Sequence, residues 1–187
     1  MLQLIVQSFF RPRETMAHIL RMNFPENILF RAGIVVCAII AAIEGLFVVF
    51  AGKNSDLSPM VSGPIALAIM QFGILIFTAL LIDRVGGMFG GTATFRAALT
   101  VAVWYTIVAL IPNIVVLYLQ VVGNDLAPLI QIAVAFWMVI VFTGFVQIAH
   151  GFRSAAMTAI GVLGTAFIFG LLVLFVLGML GVLPVDQ

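Results

Sequence analysis

The chain has 187 residues, of which 64% are hydrophobic and only 8% charged, with a formal net charge of +1 and a mean hydropathy of +1.31. Soluble domains carry about 25% charged residues, so this composition excludes a protein whose surface faces water and indicates one that faces lipid. The single cysteine, Cys37, excludes an intramolecular disulfide and a cysteine-based metal site, and its apolar surroundings predict a small buried packing residue.

The first 21 residues are predicted to form two short helices. In residues 2–10 the apolar side chains recur at helical spacing, but the segment is too short to span a bilayer. Pro12 suits the first turn of a second helix, in which Met16, Ile19 and Leu20 continue the apolar stripe. Two alternatives stay open: the arginines of this region face anionic headgroups, or the helices pack against the protein's own spans.

Five longer apolar segments follow, and each has about the 20 residues that cross the hydrocarbon core as a helix. Asn23 is predicted to cap the first, with Glu26 as its reciprocal partner, and Pro112 is the expected kink in the third. The predicted fold is an all-α polytopic membrane protein, a bundle of five transmembrane helices with a short amphipathic N-terminal interfacial segment. The predicted spans are 28–50, 61–83, 96–122, 128–150 and 156–182, which divide the chain into a cytoplasmic segment, 1–27, and a transmembrane domain, 28–187.

The basic residues fall almost entirely on one side of this predicted topology. Seven of the eight lie in or near the N-terminal segment or in loops 84–96 and 151–155, and Lys53 alone lies opposite. Because Lys and Arg accumulate in cytoplasmic loops, the sequence predicts a cytoplasmic N-terminus and places Asp186-Gln187 on the far side. Each arginine near an anionic membrane surface contributes about 1 kcal/mol to binding. The candidate lipid-contact residues are Arg11, Arg13, Arg21, Arg84, Arg96 and Arg153.

Glu44 is the one acidic residue clearly inside a predicted span, where an ionisable group costs about 2.5–3.5 kcal/mol to insert. It lies beside a strip of small residues, Gly33, Cys37, Ala41 and Gly45, that favours close helix packing, so its carboxyl is expected to face the protein interior. The candidate intramembrane polar site comprises Glu44, Gln71, Asn113 and Gln131. Two interpretations stay open: a proton or cation site, or a hydrogen-bonded structural carboxyl.

The segment between the second and third predicted spans contains GGMFGG, flanked by Arg84 and Arg96. These glycines could form a flexible turn, cradle a phosphate with backbone N–H groups, or allow close helix packing, and the spacing favours the turn. His150, at the end of the fourth span beside Arg153, is predicted to be an interfacial polar cap. Because the sequence holds no metalloprotease, P-loop or catalytic-triad pattern, we expect no enzyme, no cofactor, no metal ion and no nucleic-acid partner.

The third span and its approach, GGTATFRAALTVAVWYTIVALIP, resemble the signature of the Yip (Ypt/Rab-interacting protein) family, and RPRETM resembles the opening of its short bacterial members. The resemblance implies a five-span fold with a cytoplasmic N-terminus. Eukaryotic members have a long cytosolic N-terminal region, and some bind Rab GTPases and act in vesicle trafficking. Here only residues 1–27 precede the first span, and the family's Gly-Tyr reads Trp104-Tyr105. The resemblance therefore implies a bacterial cytoplasmic membrane protein and does not extend to trafficking.

The clustered arginines and the absence of a catalytic set favour a non-enzymatic scaffold or membrane-organising protein. Its expected partners are the lipid bilayer, anionic headgroups at the cytoplasmic face, and a second copy or other membrane proteins. One alternative is a small transporter or channel that uses Glu44, and another is a scramblase-like lipid-handling protein with a polar groove open to the bilayer. A water-filled cavity reaching Glu44 would favour transport, whereas a closed bundle with a hydrogen-bonded Glu44 would favour the scaffold.

Overall fold

The computed structural model describes residues 2–50 and 63–179 of the chain. These two ranges are largely helical and contain no strand, which confirms the predicted all-α fold. In chain order the helices are α1 (Leu2–Phe10), α2 (Pro12–Arg21), α3 (Glu26–Phe50), α4 (Pro64–Met88), α5 (Phe95–Val121), α6 (Ala127–His150) and α7 (Ala155–Met179).

Within the described residues five helices, α3 to α7, are long and apolar enough to cross a bilayer, as the sequence predicts. They have 24 to 27 residues each. At 1.5 Å per residue this is about 36–41 Å, against about 30 Å of hydrocarbon, so their ends reach the headgroup region. The predicted loop around Lys53, the last residues of the fifth predicted span and Asp186-Gln187 lie outside the described residues.

The helix α4 ends at Met88, five residues later than predicted, so Gly86 and Gly87 belong to the helix and not to the loop. Phe89 caps the helix, and Gly90 follows at φ +80°, a left-handed conformation that glycine adopts without steric cost. The connection to α5 is therefore only residues 89–94, which holds the end of α4 close to the start of α5.

Two apolar cores share α5, one between α3, α4 and α5 and the other between α2, α5 and α6. The first includes Leu29, Val36, Cys37, Leu75, Ala79, Leu99, Ala102 and Val103, and the second includes Met16, Ile19, Val101, Trp104, Val108, Val141 and Phe145. Because α5 contributes a face to each core, it is the most buried of the spanning helices. The least buried is α7, which packs mainly on α6.

The N-terminal helices α1 and α2 pack against the spanning helices α5 and α6. Met16 of α2 is fully buried in the second core. Pro12 lies so close to Gly144 that a Cβ at position 144 would be 3.2 Å from the proline ring. In α1 the hydroxyl of Ser8 accepts a buried hydrogen bond of 3.0 Å from Nε1 of Trp104. Of the two alternatives for this segment, packing against the protein's own spans is therefore observed, and headgroup contact by its exposed face stays a prediction.

The predicted cap of α3 is wrong, because Asn23 ends α2 instead. Asn23 has φ +50°, and its N–H donates to the Leu20 carbonyl at 3.1 Å. The Pro25 carbonyl accepts the first hydrogen bonds of α3, from Ile28 at 3.0 Å and Leu29 at 3.2 Å. Asparagine tolerates left-handed backbone better than most residues, so it serves the end of a helix as well as its start.

Candidate functional site

All seven arginines lie at one end of the bundle, and each is exposed. This follows from the antiparallel order of the spans, because α4 and α6 end where α3, α5 and α7 begin. We call this surface the basic end, and its members are Arg11, Arg13, Arg21, Arg31, Arg84, Arg96 and Arg153. It contains all six of the predicted lipid-contact residues.

Two arginines of the basic end have acidic neighbours. Arg11 Nη1 lies 3.3 Å from Glu14 Oε2, and Arg84 Nε lies 3.4 Å from Asp83 Oδ2. Across residues 2–50 and 63–179 these are the ion pairs present, so the other five guanidinium groups have no acidic partner there. The basic end therefore presents net positive charge, with only two of its arginines partly neutralised.

The helix α6 ends at His150, whose side chain is only 2% exposed. Its ring fits between the end of α4 and the loop that leads to α5. Nε2 lies 2.9 Å from the Ile82 carbonyl oxygen, and Nδ1 lies 3.4 Å from the backbone nitrogen of Ala93. The His150 carbonyl accepts from Thr92 twice, from the N–H at 3.3 Å and from the hydroxyl at 3.2 Å. We call these contacts the His150 junction; they join α4, residues 89–94 and α6.

Two glycines make room for the imidazole. A Cβ on Gly86 or on Gly91 would overlap the ring, whereas a Cβ on Gly87 would meet open space. The ring of Phe152 stacks on His150 with a centroid distance of 5.0 Å and an interplanar angle of 16°. Of the predicted roles of GGMFGG, close packing is observed for Gly86 and Gly91 and a turn for Gly90, while phosphate binding stays a prediction.

The hydrogen bonds of the His150 junction determine which ring nitrogen carries the proton. The Ile82 carbonyl can only accept, so Nε2 donates, and the Ala93 N–H can only donate, so Nδ1 accepts. A neutral imidazole protonated on Nε2 satisfies both partners. The predicted interfacial polar cap is therefore a buried side chain that links three segments. Its sequence signal was the pair of glycines five residues apart, but the group that fills the space between them depends on tertiary contacts.

Glu44 and Gln71 are brought together across α3 and α4. Nε2 of Gln71 lies 3.4 Å from each carboxylate oxygen of the half-buried Glu44. The other two members of the predicted polar set lie elsewhere: Asn113 is exposed on α5, and Gln131 accepts a 3.0 Å hydrogen bond from Gln120. The predicted set of four thus separates into one hydrogen-bonded pair and two residues outside it, and the function of the pair stays a prediction.

A family model described as the Yip1 domain matches residues 6–177, from α1 into α7. The chain belongs to the Yip1 family. This confirms the resemblance noted in the sequence. Comparison of the Yip1-family chain with curated proteins and with solved structures gave no match. The matched range includes the basic end, the His150 junction and the Glu44–Gln71 pair.

Two open clefts indent the described surface of the Yip1-family chain. One, of about 330 Å³, lies between α1 and α2, and the other, of about 460 Å³ with apolar walls, lies between α3 and α4. Neither Glu44 nor Gln71 lines either cleft. In the part of the chain that the structure describes, no group of three His, Cys, Asp or Glu side chains could hold a metal ion.

Proposed function

We propose that this Yip1-family protein is a non-enzymatic scaffold or membrane-organising protein whose basic end binds anionic lipid headgroups at the cytoplasmic face of a bacterial inner membrane. The observation that carries the proposal is the exposure of all seven arginines at one end of the spanning bundle. Positive charge that is exposed and mostly without acidic partners is available to phosphate groups outside the protein.

The same charge asymmetry supports the proposed orientation. Arginines accumulate on the cytoplasmic side of spanning helices, so the basic end and the N-terminus face the cytoplasm. An odd number of spans then places the C-terminus on the other side. A compartment-sensitive reporter fused to each terminus tests this orientation, and two termini on the same side would contradict it.

The docked position of α2 supports headgroup contact by Arg13. Gly144, which contacts Pro12, is about 9 Å along α6 from His150 at 1.5 Å per residue, and the spans are longer than the hydrocarbon core. Arg13, whose side chain begins beside Gly144, can therefore extend towards the membrane surface. Each such arginine contributes about 1 kcal/mol, and the attraction falls off within about 8 Å at physiological salt.

The rival function is transport of protons or cations through Glu44. A half-buried carboxylate in a span supports it, because such groups mark ion pathways. The hydrogen bonds to Gln71 favour the scaffold, because they give the carboxylate a partner within the bundle. The two described clefts give transport no support, because neither is lined by Glu44 or Gln71.

Lipid retention in native mass spectrometry tests the proposed lipid contact. Wild type is expected to keep phosphatidylglycerol in preference to phosphatidylcholine when both are supplied in equal amounts. The double variant Arg13→Gln/Arg96→Gln should lose most of this preference. The matched control, Arg11→Gln/Arg84→Gln, removes the same charge from arginines that have acidic neighbours and should lose less. Equal retention of both lipids by wild type would contradict the proposal.

Measurements of flux in reconstituted vesicles distinguish the scaffold from a transporter and from a scramblase-like protein. Proton, sodium and potassium movement and lipid flipping are measured for wild type and for Glu44→Gln. The scaffold predicts no flux from either protein when both are folded and inserted. Ion flux that disappears in Glu44→Gln would replace the scaffold with a transporter, and lipid flipping would replace it with a scramblase-like function.

A further inference from the structure

The chain has two histidines, and the structure places them in opposite environments. His18 is exposed on α2, whereas His150 is 2% exposed and has a backbone partner for each ring nitrogen. The ring occupies the space left by Gly86 and Gly91, so the loop and the helix ends are built around this one side chain. Neither lipid binding nor scaffolding uses His150.

We propose that the His150 junction is a pH-sensitive contact: the neutral imidazole holds residues 86–93 against the end of α6, and protonation of the ring as the pH falls releases them. The sensing contact itself goes beyond the proposed function and does not depend on it.

The hydrogen-bond pattern supplies the mechanism. A second proton can only be placed on Nδ1, which already faces the N–H of Ala93 at 3.4 Å. Two donors would then point at each other, and the Ala93 N–H would lose its acceptor. The added positive charge would also lie in a site from which water is excluded. Both effects favour movement of the loop away from the ring, because α6 is anchored along its length and the loop is not.

Several charged groups surround the junction, and His150 is the one among them whose ordinary pKa lies near neutral pH. On α4 they are Asp83, next to Ile82, and Arg84, which lies 3.4 Å from the Asp83 carboxylate. The segment from Val85 to Phe95, which includes the loop, contains no charged or titratable side chain. Arg96 lies in the first turn of α5 and Arg153 follows α6, and neither arginine loses its proton at physiological pH. Among the described residues Asp83 is the anion near the ring, and it attracts the imidazolium while Arg84 partly neutralises it.

Release of the loop would change the basic end, because Arg84 and Arg96 flank the released segment. Their spacing is set by the short connection from α4 to α5 while the junction is closed. An open junction would let the two guanidinium groups move apart. This consequence for lipid contact rests on the proposed function, whereas the pH response of the loop does not.

A spin-label distance measurement tests the response. Labels are placed at two exposed methionine positions, Met88 at the end of α4 and Met157 at the start of α7, after Cys37→Ala removes the native thiol. Distances are recorded in nanodiscs at about pH 7.5 and about pH 5.5, which bracket the ordinary pKa of histidine. A narrow distance peak at the higher pH is expected to be lost at the lower one. His18→Gln should behave as wild type, and His150→Gln should give the same distribution at both pH values.

Three outcomes overturn the proposal: a peak unchanged by pH in wild type, a pH response that survives in His150→Gln, or a response that disappears in His18→Gln. If His150→Gln does not fold, nitrogen-15 histidine spectra of His18→Gln decide, because His150 is then the only histidine. The expected spectrum is a neutral ring protonated on Nε2 at about pH 7.5 that gains its second proton as the loop is released. A ring protonated on Nδ1, or one that stays neutral across this range, would contradict the proposal.

Discussion

The two halves of the bundle differ in how their polar side chains are held. In the half that carries the basic end, the ring of His150 has two backbone partners and fits between two glycines, and Trp104 donates to a buried Ser8. In the opposite half, Glu44 meets Gln71 at 3.4 Å, and Gln120 and Gln131 pair on the exposed surface. Polar contacts to backbone from several segments specify one arrangement, whereas contacts between two long side chains allow others. Around His150 and Trp104, the half that carries the basic end is therefore the more precisely built one.

A methyl group at position 86 should have the largest effect. We expect Gly86→Ala to lower the free energy of unfolding by about 1–3 kcal/mol, because its Cβ overlaps the His150 ring. Gly87→Ala is the matched control in the same helical turn, and it should be neutral or stabilising by up to about 1 kcal/mol, because its Cβ meets open space. Thermal or denaturant unfolding in detergent measures both. Equal effects would show that the junction is not tightly packed.

Removal of the Ser8 hydroxyl tests whether its hydrogen bond with Trp104 holds α1 against the bundle. We expect Ser8→Ala to lower the free energy of unfolding by about 1–2 kcal/mol, because the buried Trp104 N–H is left without its acceptor. Gln7→Ala changes an exposed neighbour and serves as the control. The same unfolding measurement, with tryptophan fluorescence as the signal, reports both variants. No loss in Ser8→Ala would mean that α1 is not held at Trp104.

A smaller effect is expected at Thr92, which contributes one hydroxyl hydrogen bond to the junction. Thr92→Val should lower the free energy of unfolding by about 0.5–1.5 kcal/mol, the ordinary value for one hydrogen bond. Thr106→Val is a suitable control, because its hydroxyl bonds only to the Ala102 carbonyl within the same helix. Amide exchange of residues 86–97 should also rise in Thr92→Val and stay unchanged in the control.

The smallest effect is expected in the opposite half. Glu44→Gln should change the free energy of unfolding by less than about 0.5 kcal/mol, because an amide oxygen still accepts from Gln71. Its unfolding curve is compared with that of Gly86→Ala under the same conditions. A loss in Glu44→Gln as large as that in Gly86→Ala would remove the contrast between the halves and show that the carboxylate itself is structural.

Much of the architecture could be predicted from the sequence. The lengths of the apolar segments predicted the five spanning helices, because the thickness of the bilayer determines how many consecutive residues must be apolar. The partnership of Glu44 with Gln71 was among the predicted candidates, since both lie at similar depth on adjacent helices. Depth alone could not show which of Gln71, Asn113 and Gln131 contacts Glu44, because depth does not determine which way a side chain faces around its helix.

The parts that could not be predicted depend on contacts between distant segments. The burial of His150 requires the end of α4, the loop and the end of α6 to meet. The sequence shows these three segments separately and does not show that they come together. The end of α4 at Met88 also depends on this contact. Glycine disfavours a helix interior, but Gly86 is tolerated in α4 because a side chain there would overlap the imidazole. The capping role of Asn23 was wrong because the same residue type suits both ends of a helix.

The docking of the N-terminal helices has a consequence for the order in which the protein assembles. Ser8 contacts a residue 96 positions later in the chain, and Pro12 contacts Gly144. The ribosome makes α1 and α2 before α5 and α6, so their apolar stripe has no packing partner within the bundle during much of synthesis. The membrane interface is the surface on which an amphipathic helix can bury such a stripe in the meantime. We therefore expect these residues to bind the membrane interface first and to join the core later, and we expect their final docking to be among the slow steps of folding.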